Sequence, residues 1–360
     1  MSCCAILVNF HTAELIEGAV ASLTTSPRCS EVIVVDNSDS PEEWERLNAR
    51  IGGLAKIIRN TRNQGFAKAC NLAFQSSNSD YVLLLNPDAR LVGDALGSMC
   101  MVLDTDPRVA AVGPKVFWDD AYLYLLPPTT FPSKLAVIAE RLAQHSQRFA
   151  LKRSLQFRDR AIAQWTSKEP LQIDAASGGH VLLRRDALNV AGGLFDPDFF
   201  MYWEDSDLMQ RIRSAGYRVV LHPAAHATHL YEHDQGKDVL IAKGWNAYAS
   251  KYFSSLFFRG LLRFISIWPR SSTQAFDSTL EKPKDAIRLE ISSDLHHAWL
   301  LEISPSPDFY PSIGRFGNGQ IVEISADLLR RFSGDRLYLR LGPPYSVSDQ
   351  KHLKSYCLIT

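Results

Sequence analysis

Between residues 3 and 112 the chain repeats one pattern that few folds can accommodate: short, continuous apolar runs alternate with amphipathic stretches. The runs are Ile6-Leu7-Val8, Val32 to Val35, Lys56 to Ile58, Tyr81 to Leu85 and Val109 to Val112. Between them, Glu14 to Leu23, Pro41 to Ile51, Ala67 to Phe74 and Asp94 to Leu103 carry helical spacing. Strands apolar on both faces and separated by helices predict an α/β fold, with a mainly parallel sheet between helices. At 360 residues and 46% hydrophobic content, the chain can build that core and a second, smaller unit.

In such sheets ligands bind beyond the carboxyl ends of the strands. Those ends read Asn9-Phe10-His11-Thr12, Asp36-Asn37-Ser38, Arg62-Asn63-Gln64-Gly65-Phe66 and Asn86-Pro87-Asp88. Each alone is ordinary turn chemistry; four together predict a small-molecule site. No G-x-G-x-x-G follows the first strand and no Walker motif occurs, so phosphate charge has to be met by side chains or by a metal. Asp88, presented by Pro87 after a buried strand, is the carboxylate suited to Mg or Mn, although a lone turn Asp is more often structural.

Charge and composition narrow the rest. The 39 basic and 39 acidic residues balance, which argues against a nucleic-acid partner. No apolar run is long enough to span a bilayer, and the Cys3 to Val8 run lacks the basic flank of a signal peptide. The six cysteines have no framework spacing, which predicts reduced core thiols and a cytoplasmic protein.

Further along, residues 121–170 read as a basic helical insertion carrying Arg141, Arg148, Lys152, Arg153, Arg158 and Arg160. A solvated face is the default for such a stretch, and guidance of an anionic, lipid-phosphate substrate is the alternative. Asp174 to His180 then brings Ser177, Gly178 and Gly179 to the start of a strand, and Gly192-Gly193 allows close backbone approach.

The aromatic run Phe199 to Trp203 empties into Glu204, Asp205 and Asp207 at the start of a helix. Capping explains one acid, and three so close repel one another, so a tuned catalytic carboxylate is the competing reading. His222, His226, His229 and His233 follow without an H-E-x-x-H pattern, so one His beside a carboxylate is the more plausible ligand arrangement. Phe253, Phe257, Gly260, Phe264 and Trp268 share a helical face that predicts core packing, with peripheral membrane association as the alternative. Residues 271–284 read as a linker and 285–360 as a small antiparallel β-rich module, in which Trp299, Phe309, Tyr310 and Tyr345 either stack on sugars or fill the core.

Taken in order, Ile6 to Phe10, Val34 to Ser38, Asn63 to Ala67 with Asn71, Leu85 to Asp88, Asp174 with Ser177-Gly178, Gly192 to Asp196 and Tyr202 to Leu208 resemble the family 2 glycosyltransferases. The similarity is to the bacterial rhamnosyltransferase-like branch, which implies a GT-A nucleotide-sugar fold over residues 1–270. It implies an inverting transferase, with a nucleotide-sugar donor, best matched by dTDP-L-rhamnose, and a saccharide or polyprenyl-linked saccharide acceptor at the inner face of the cytoplasmic membrane.

By that resemblance Asp205, paired with Glu204, is the catalytic base. The donor nucleotide falls to Asn9, Phe10, Asp36, Asn63, Gly65, Phe66, Asn86 and Asp88, with Asp36 against the base. Asp88 and His229 hold Mg or Mn, and Asn86 in the first D-x-D place leaves one carboxylate ligand instead of two. The acceptor falls to Asp174, Gly178, Gly179, His180, Trp203 and Asp207. Gly179-His180 departs from the branch, and the module after residue 285 lies outside the family's extent. Rival expectations are a sugar nucleotidyltransferase, whose Gly-rich basic loop is missing after the first strand, and a catalytically inactive carbohydrate-binding scaffold.

Overall fold

The computed structural model describes residues 1–230, 237–269, 276–281, 286–332, 334–348 and 350–359. His233 and parts of the 271–284 stretch lie outside the described residues.

The alternation becomes β1 (Cys3–Asn9), α1 (Ala13–Thr24), β2 (Cys29–Asp36), α2 (Pro41–Ile51), β3 (Lys56–Arg59), α3 (Phe66–Gln75), β4 (Tyr81–Leu85), β5 (Ala89–Val92), α4 (Ala95–Thr105) and β6 (Val109–Phe117). Then follow α5 (Lys134–Ala143), α6 (Gln147–Thr166), β7 (Leu171–Ile173), β8 (His180–Arg184), α7 (Arg185–Val190), α8 (Glu204–Ser214), β9 (Arg218–His229), α9 (Lys237–Tyr252) and α10 (Leu256–Ser266). These strands form one sheet in the order β3-β2-β1-β4-β8-β6-β9-β5, with β7 on β9. Pairing is parallel from β3 to β4 and between β6 and β9; β8, β5 and β7 run antiparallel to their neighbours, making the sheet mixed.

Alternate residues of β1 serve opposite cores. Cys4, Ile6 and Val8 pack with α3 and α8, while Cys3, Ala5 and Leu7 pack with α1 and α4. The cysteines are free, and all but half-buried Cys29 are buried.

The remaining strands are β10 (Ser278–Glu281), β11 (Ala286–Glu290), β12 (Trp299–Ser304), β13 (Ile313–Gly317), β14 (Ile321–Ser325), β15 (Arg336–Gly342) and β16 (Lys354–Ile359), with α11 (Ala326–Arg330) after β14. A five-stranded sheet, β10-β16-β15-β12-β13, lies beside the β11-β14 pair. Two expectations change here, and one pair of alternatives is decided. The stretch read as linker contains β10, paired in parallel with β16. Trp299 and Phe309 are buried, so they fill the core and do not present a sugar platform.

The second change concerns the basic stretch, whose central arginine is not solvated. Arg158 on α6 is fully buried, its Nε donating to Glu302 Oε2 at 2.9 Å, and Arg340 brackets the same carboxylate at 2.7 and 2.9 Å. Arg158 also donates to the carbonyls of Tyr345 and Pro343, and Arg340 to Ser154 Oγ. Phe157, Ala161 and Trp165 pack against Leu300, and Trp118 and Tyr124 enter the module's own core. The module is thus locked onto α6 and the segment that follows β6.

On α10, Phe258 and Ile265 face inward, and Phe253 just before the helix is buried. Phe257, Phe264 and Trp268, expected in the core, are 82%, 60% and 47% exposed, together with Leu256 and Ile267.

Candidate active site

The ends of β1 and β2 meet in a buried polar knot. Asn9 Nδ2 donates to Asp36 Oδ1 at 3.0 Å, to Ser38 Oγ at 3.2 Å and to Glu43 Oε1 at 3.2 Å. Asp36 Oδ1 also accepts from the Ser38 N–H and hydroxyl, at 3.2 and 2.6 Å. Its Oδ2 is buried without a partner among the described residues. A buried carboxylate oxygen left unpaired is costly, and a ligand N–H placed there would remove the cost.

Asn37 stitches the next loop to this knot, accepting from Asn60 and the Gln64 N–H and donating to Asn63 Oδ1 at 2.8 Å. Gly65 has φ +84°, and a Cβ there would meet the Phe200 carbonyl at 2.4 Å. Phe66 N–H donates to that carbonyl at 2.7 Å, so the loop carrying Asn63 and Gly65 is tied to the run that leads into the acids. The Phe66 ring packs near Phe195, while Phe10 is half exposed beside the knot.

At the end of β4, the Asn86 N–H donates to the Gly179 carbonyl at 2.9 Å. The β5–β9 register places His229 opposite Ala89, and His229 Nε2 lies 3.2 Å from Asp88 Oδ1 and 3.5 Å from Asn86 Nδ2. Burial pushes the Asp88 pKa up, but the hydrogen bond and charge of His229 outweigh it and hold the carboxyl below its ordinary value. An ionised carboxylate and an imidazole nitrogen converging at that distance fit a divalent cation with two protein ligands, the rest of its shell coming from phosphate oxygens and water. Among the described residues no group of three acid, Cys or His side chains has metal-site geometry.

His180 packs edge-on to His229 with ring centroids 5.6 Å apart, and burial and that neighbour push its pKa down to about 3. It is a neutral ring. His222 accepts from the Ala224 and Ala225 N–H groups and His226 bonds the Pro223 carbonyl; these two serve the backbone of their own turn.

The acids open α8, but none of them caps it. Tyr202 and Trp203 stand in left-handed conformation at φ +67° and +72°, and Trp203 is the N-cap without a side-chain hydrogen bond. Glu204 and Asp205 therefore occupy the first turn, where the helix N-terminus favours negative charge.

Asp205 Oδ2 accepts from the Gly178 N–H at 3.2 Å and Oδ1 from the Ser206 N–H at 2.7 Å. It keeps part of its surface open although protein surrounds it, as at the floor of a cleft. Burial lifts its pKa above the ordinary value, and the two N–H groups pull it only part of the way back. Glu204 is buried with Oε2 unpartnered, and burial, then the Asp205 charge, push it up to about 8. Of the two, Glu204 is pushed toward its protonated form at neutral pH, and Asp205 is the one with open surface.

The expected acceptor residues divide. Gly178 and Gly179 do lie between the two carboxylate sites: Gly178 bonds Asp205, and a Cβ on Gly179 would meet Asn86 Nδ2 at 2.8 Å. Asp207 is instead fully buried, its oxygens taken by Arg211 at 2.8 Å, Tyr252 at 2.6 Å and Lys251 at 2.7 Å, so it pins α9 to α8. Trp203 spends its indole N–H on the Ile241 carbonyl and packs against Trp245 with the rings tilted by 56°. Asp174 is exposed and paired with Arg213 in a separate depression bordered by Tyr217.

Sequence reasoning missed Glu43, which also accepts from the Ala13 N–H at 2.9 Å. Its spacing from Ser40 reads as a capping box and hides its second role. It also missed Lys115, whose signal was a lone charge inside the apolar run of β6.

The profile described as Glycosyl transferase family 2 matches residues 4–187, just over half of the chain. Among curated proteins the chain is similar to the N-acetylglucosaminyl-diphospho-decaprenol L-rhamnosyltransferase of Mycobacterium tuberculosis (strain ATCC 25618 / H37Rv), 24% identical over 250 residues covering 65% of this chain and 77% of that protein. It is also similar to rhamnosyltransferase WbbL of Escherichia coli (strain K12), 27% identical over 238 residues covering 64% and 83%. Among solved structures, GalNAc-T7 with UDP, GalNAc and Mn2+ aligns at a TM-score of 0.47 and 16% identity, covering 64% of this chain and 44% of that one. The mannosyltransferase PcManGT from Pyrobaculum calidifontis with GDP-Man and Mn2+ aligns at 0.44 and 18%, covering 74% and 79%.

Proposed function

Because the chain belongs to glycosyl transferase family 2, we propose that the cleft between Asp36, Asp88 and Asp205 moves a sugar from a nucleoside diphosphate to an acceptor hydroxyl, with inversion at the anomeric carbon. One observation carries this reading: successive residues, Gly178 and Gly179, bond Asp205 on one side and Asn86 on the other, bringing a base-competent carboxylate beside an acid–imidazole pair. The donor's nucleobase lies against Asp36, whose free Oδ2 takes a ring N–H, with Phe10 and the Asn63 to Phe66 loop around the nucleoside. Asp88 and His229 hold Mg or Mn, which when bound neutralises charge on the departing diphosphate. Asp205 takes the proton of the attacking hydroxyl, and Glu204 stays neutral beside it.

The two rhamnosyltransferase relatives support dTDP-L-rhamnose as donor and a polyprenyl-linked saccharide as acceptor. A thermal-shift panel of UDP, dTDP and GDP sugars, each with and without Mn, tests this. The dTDP sugar with Mn should stabilise the protein most, and Asp88→Asn should remove the Mn-dependent part alone. Silence toward every nucleotide sugar would sink the reading and favour an inactive carbohydrate-binding scaffold.

Such an acceptor places the enzyme at the cytoplasmic face of a membrane. Among the described residues no helix is long and apolar enough to cross one. The outer face of α10 suits peripheral contact instead: Leu256, Phe257, Phe264, Ile267 and Trp268 are exposed together, with exposed Arg259 and Arg263 along their edge. Phe257→Ser with Phe264→Ser should cut binding to vesicles containing anionic phospholipid at least tenfold, given ~1.5–3 kcal/mol for each large apolar side chain withdrawn from water. Equal sedimentation of the double variant and the native chain with those vesicles would remove α10 from this role.

A further inference from the structure

Behind His180 and His229 lies a cavity of about 470 Å³ that the reaction above does not use. One wall comes from β6 of the main sheet, and the opposite wall from the C-terminal module through Ile303, Pro311, Ile313 and Phe332. Among the described residues Lys115 is the only Lys, Arg, Asp or Glu lining it. Its ammonium is half-buried and takes no hydrogen bond or ion pair from any described residue. Burial depresses the pKa of Lys115 and of the nearby His226, and the Lys115 charge lowers that of His226 further.

A lysine that merely lays its stem on apolar surface carries its head to water or to a carboxylate. Lys115 holds a positive charge against an apolar chamber, a cost that an incoming anion would offset. At the inner end, His180 adds a ring nitrogen, Nδ1, that is buried without a partner among the described residues. The chamber therefore matches an amphiphile with one anionic group and an apolar body, entering beside Asp88 and His229.

We propose that this cavity binds the phosphate-bearing end of a polyprenyl lipid, Lys115 meeting the phosphate and the C-terminal module enclosing the first isoprene units. The choice of lipid rests on the acceptor reading above, whereas the site itself rests on the cavity and its single charge. It also gives the module a task at the active site, as the wall that separates the lipid from solvent.

The test is direct binding to the full chain, followed by the fluorescence of Trp118 and Trp165, which line the chamber. The probes are farnesyl phosphate, farnesol, inorganic phosphate and palmitate. Farnesyl phosphate should bind at least tenfold more tightly than farnesol or phosphate, and Lys115→Met should erase that preference while farnesol binding persists. Ile313→Phe, which narrows the chamber and keeps the charge, should weaken farnesyl phosphate and farnesol alike. Equal affinity for farnesol and farnesyl phosphate, an undiminished preference in Lys115→Met, or palmitate binding as tightly as farnesyl phosphate would each overturn the proposal. Binding of farnesyl phosphate by a chain that ignores every nucleotide sugar would sustain this site and defeat the transferase reading.

Discussion

Asp205→Asn should lower turnover in glycosyl transfer by roughly 10²–10⁴-fold, the usual contribution of a positioned base, while nucleotide binding persists. The amide keeps the size of the carboxylate and one oxygen for Gly178 or Ser206, so the helix start should hold. What disappears is the group that accepts the proton. A second effect identifies the pair. Glu204 is raised by burial first and by the Asp205 charge second, so the variant should draw its pKa back toward the ordinary range.

That shift can be read as stability. In the native chain burial and the Asp205 charge push Glu204 up to about 8 from an ordinary 4.5, so the folded state holds more protons between those values. Stability from this group is full below about 4.5 and is lost as pH rises toward about 8, on the order of a few kcal/mol. Glu204→Gln should flatten the fall in melting temperature over that window. Near-native turnover in Asp205→Asn, measured with saturating donor, would remove the base assignment.

Glu302→Gln should be the most destabilising single change in the C-terminal half, costing ~3–5 kcal/mol, because it leaves two buried guanidinium groups without a counter-charge. Burial would raise the Glu302 pKa, yet Arg340 and then Arg158 hold it below the ordinary value. This contribution is therefore present above the unfolded pKa and fades as pH falls through the folded one. Urea unfolding should report the loss at neutral pH, and limited proteolysis should locate it after residue 285. Replacing Arg158, Glu302 and Arg340 together with Met, Leu and Met should cost far less than Glu302→Gln, since apolar packing can substitute for a buried triad. Equal damage from both would mean that packing volume, not charge, holds this seam.

The first half of the fold was legible because its signals are local. Pro41 to Ile51 carries its own start, with the Ser40 hydroxyl accepting from the Glu43 N–H, and helix and pattern coincide there. The strand ends that gather at the candidate site could be found for the same reason. Asp207 defeated sequence reasoning because its role depends on Lys251 and Tyr252, more than forty residues further on. Arg158 was misjudged likewise: its carboxylate partner lies 144 positions away, and nothing near α6 signals that one arginine of a basic helix turns inward. The exposed face of α10 has the same periodicity as a core helix; only the packing of Phe258 and Ile265 tells which stripe points outward.

The Gly178-Gly179 step has one more consequence. The Gly178 N–H and the Gly179 carbonyl belong to different peptide planes, joined through the soft dihedrals of two residues without side chains. Gly178 holds the carboxylate of Asp205 by its N–H, and Gly179 holds the Asn86 backbone by its carbonyl. In the proposed reaction, a diphosphate that shifts Asn86 would therefore pull on a short segment able to bend before it moves the carboxylate. The native glycine pair keeps donor fit and acceptor activation apart, and a side chain at Gly179, whose Cβ would meet Asn86 Nδ2 at 2.8 Å, would stiffen the link and couple them.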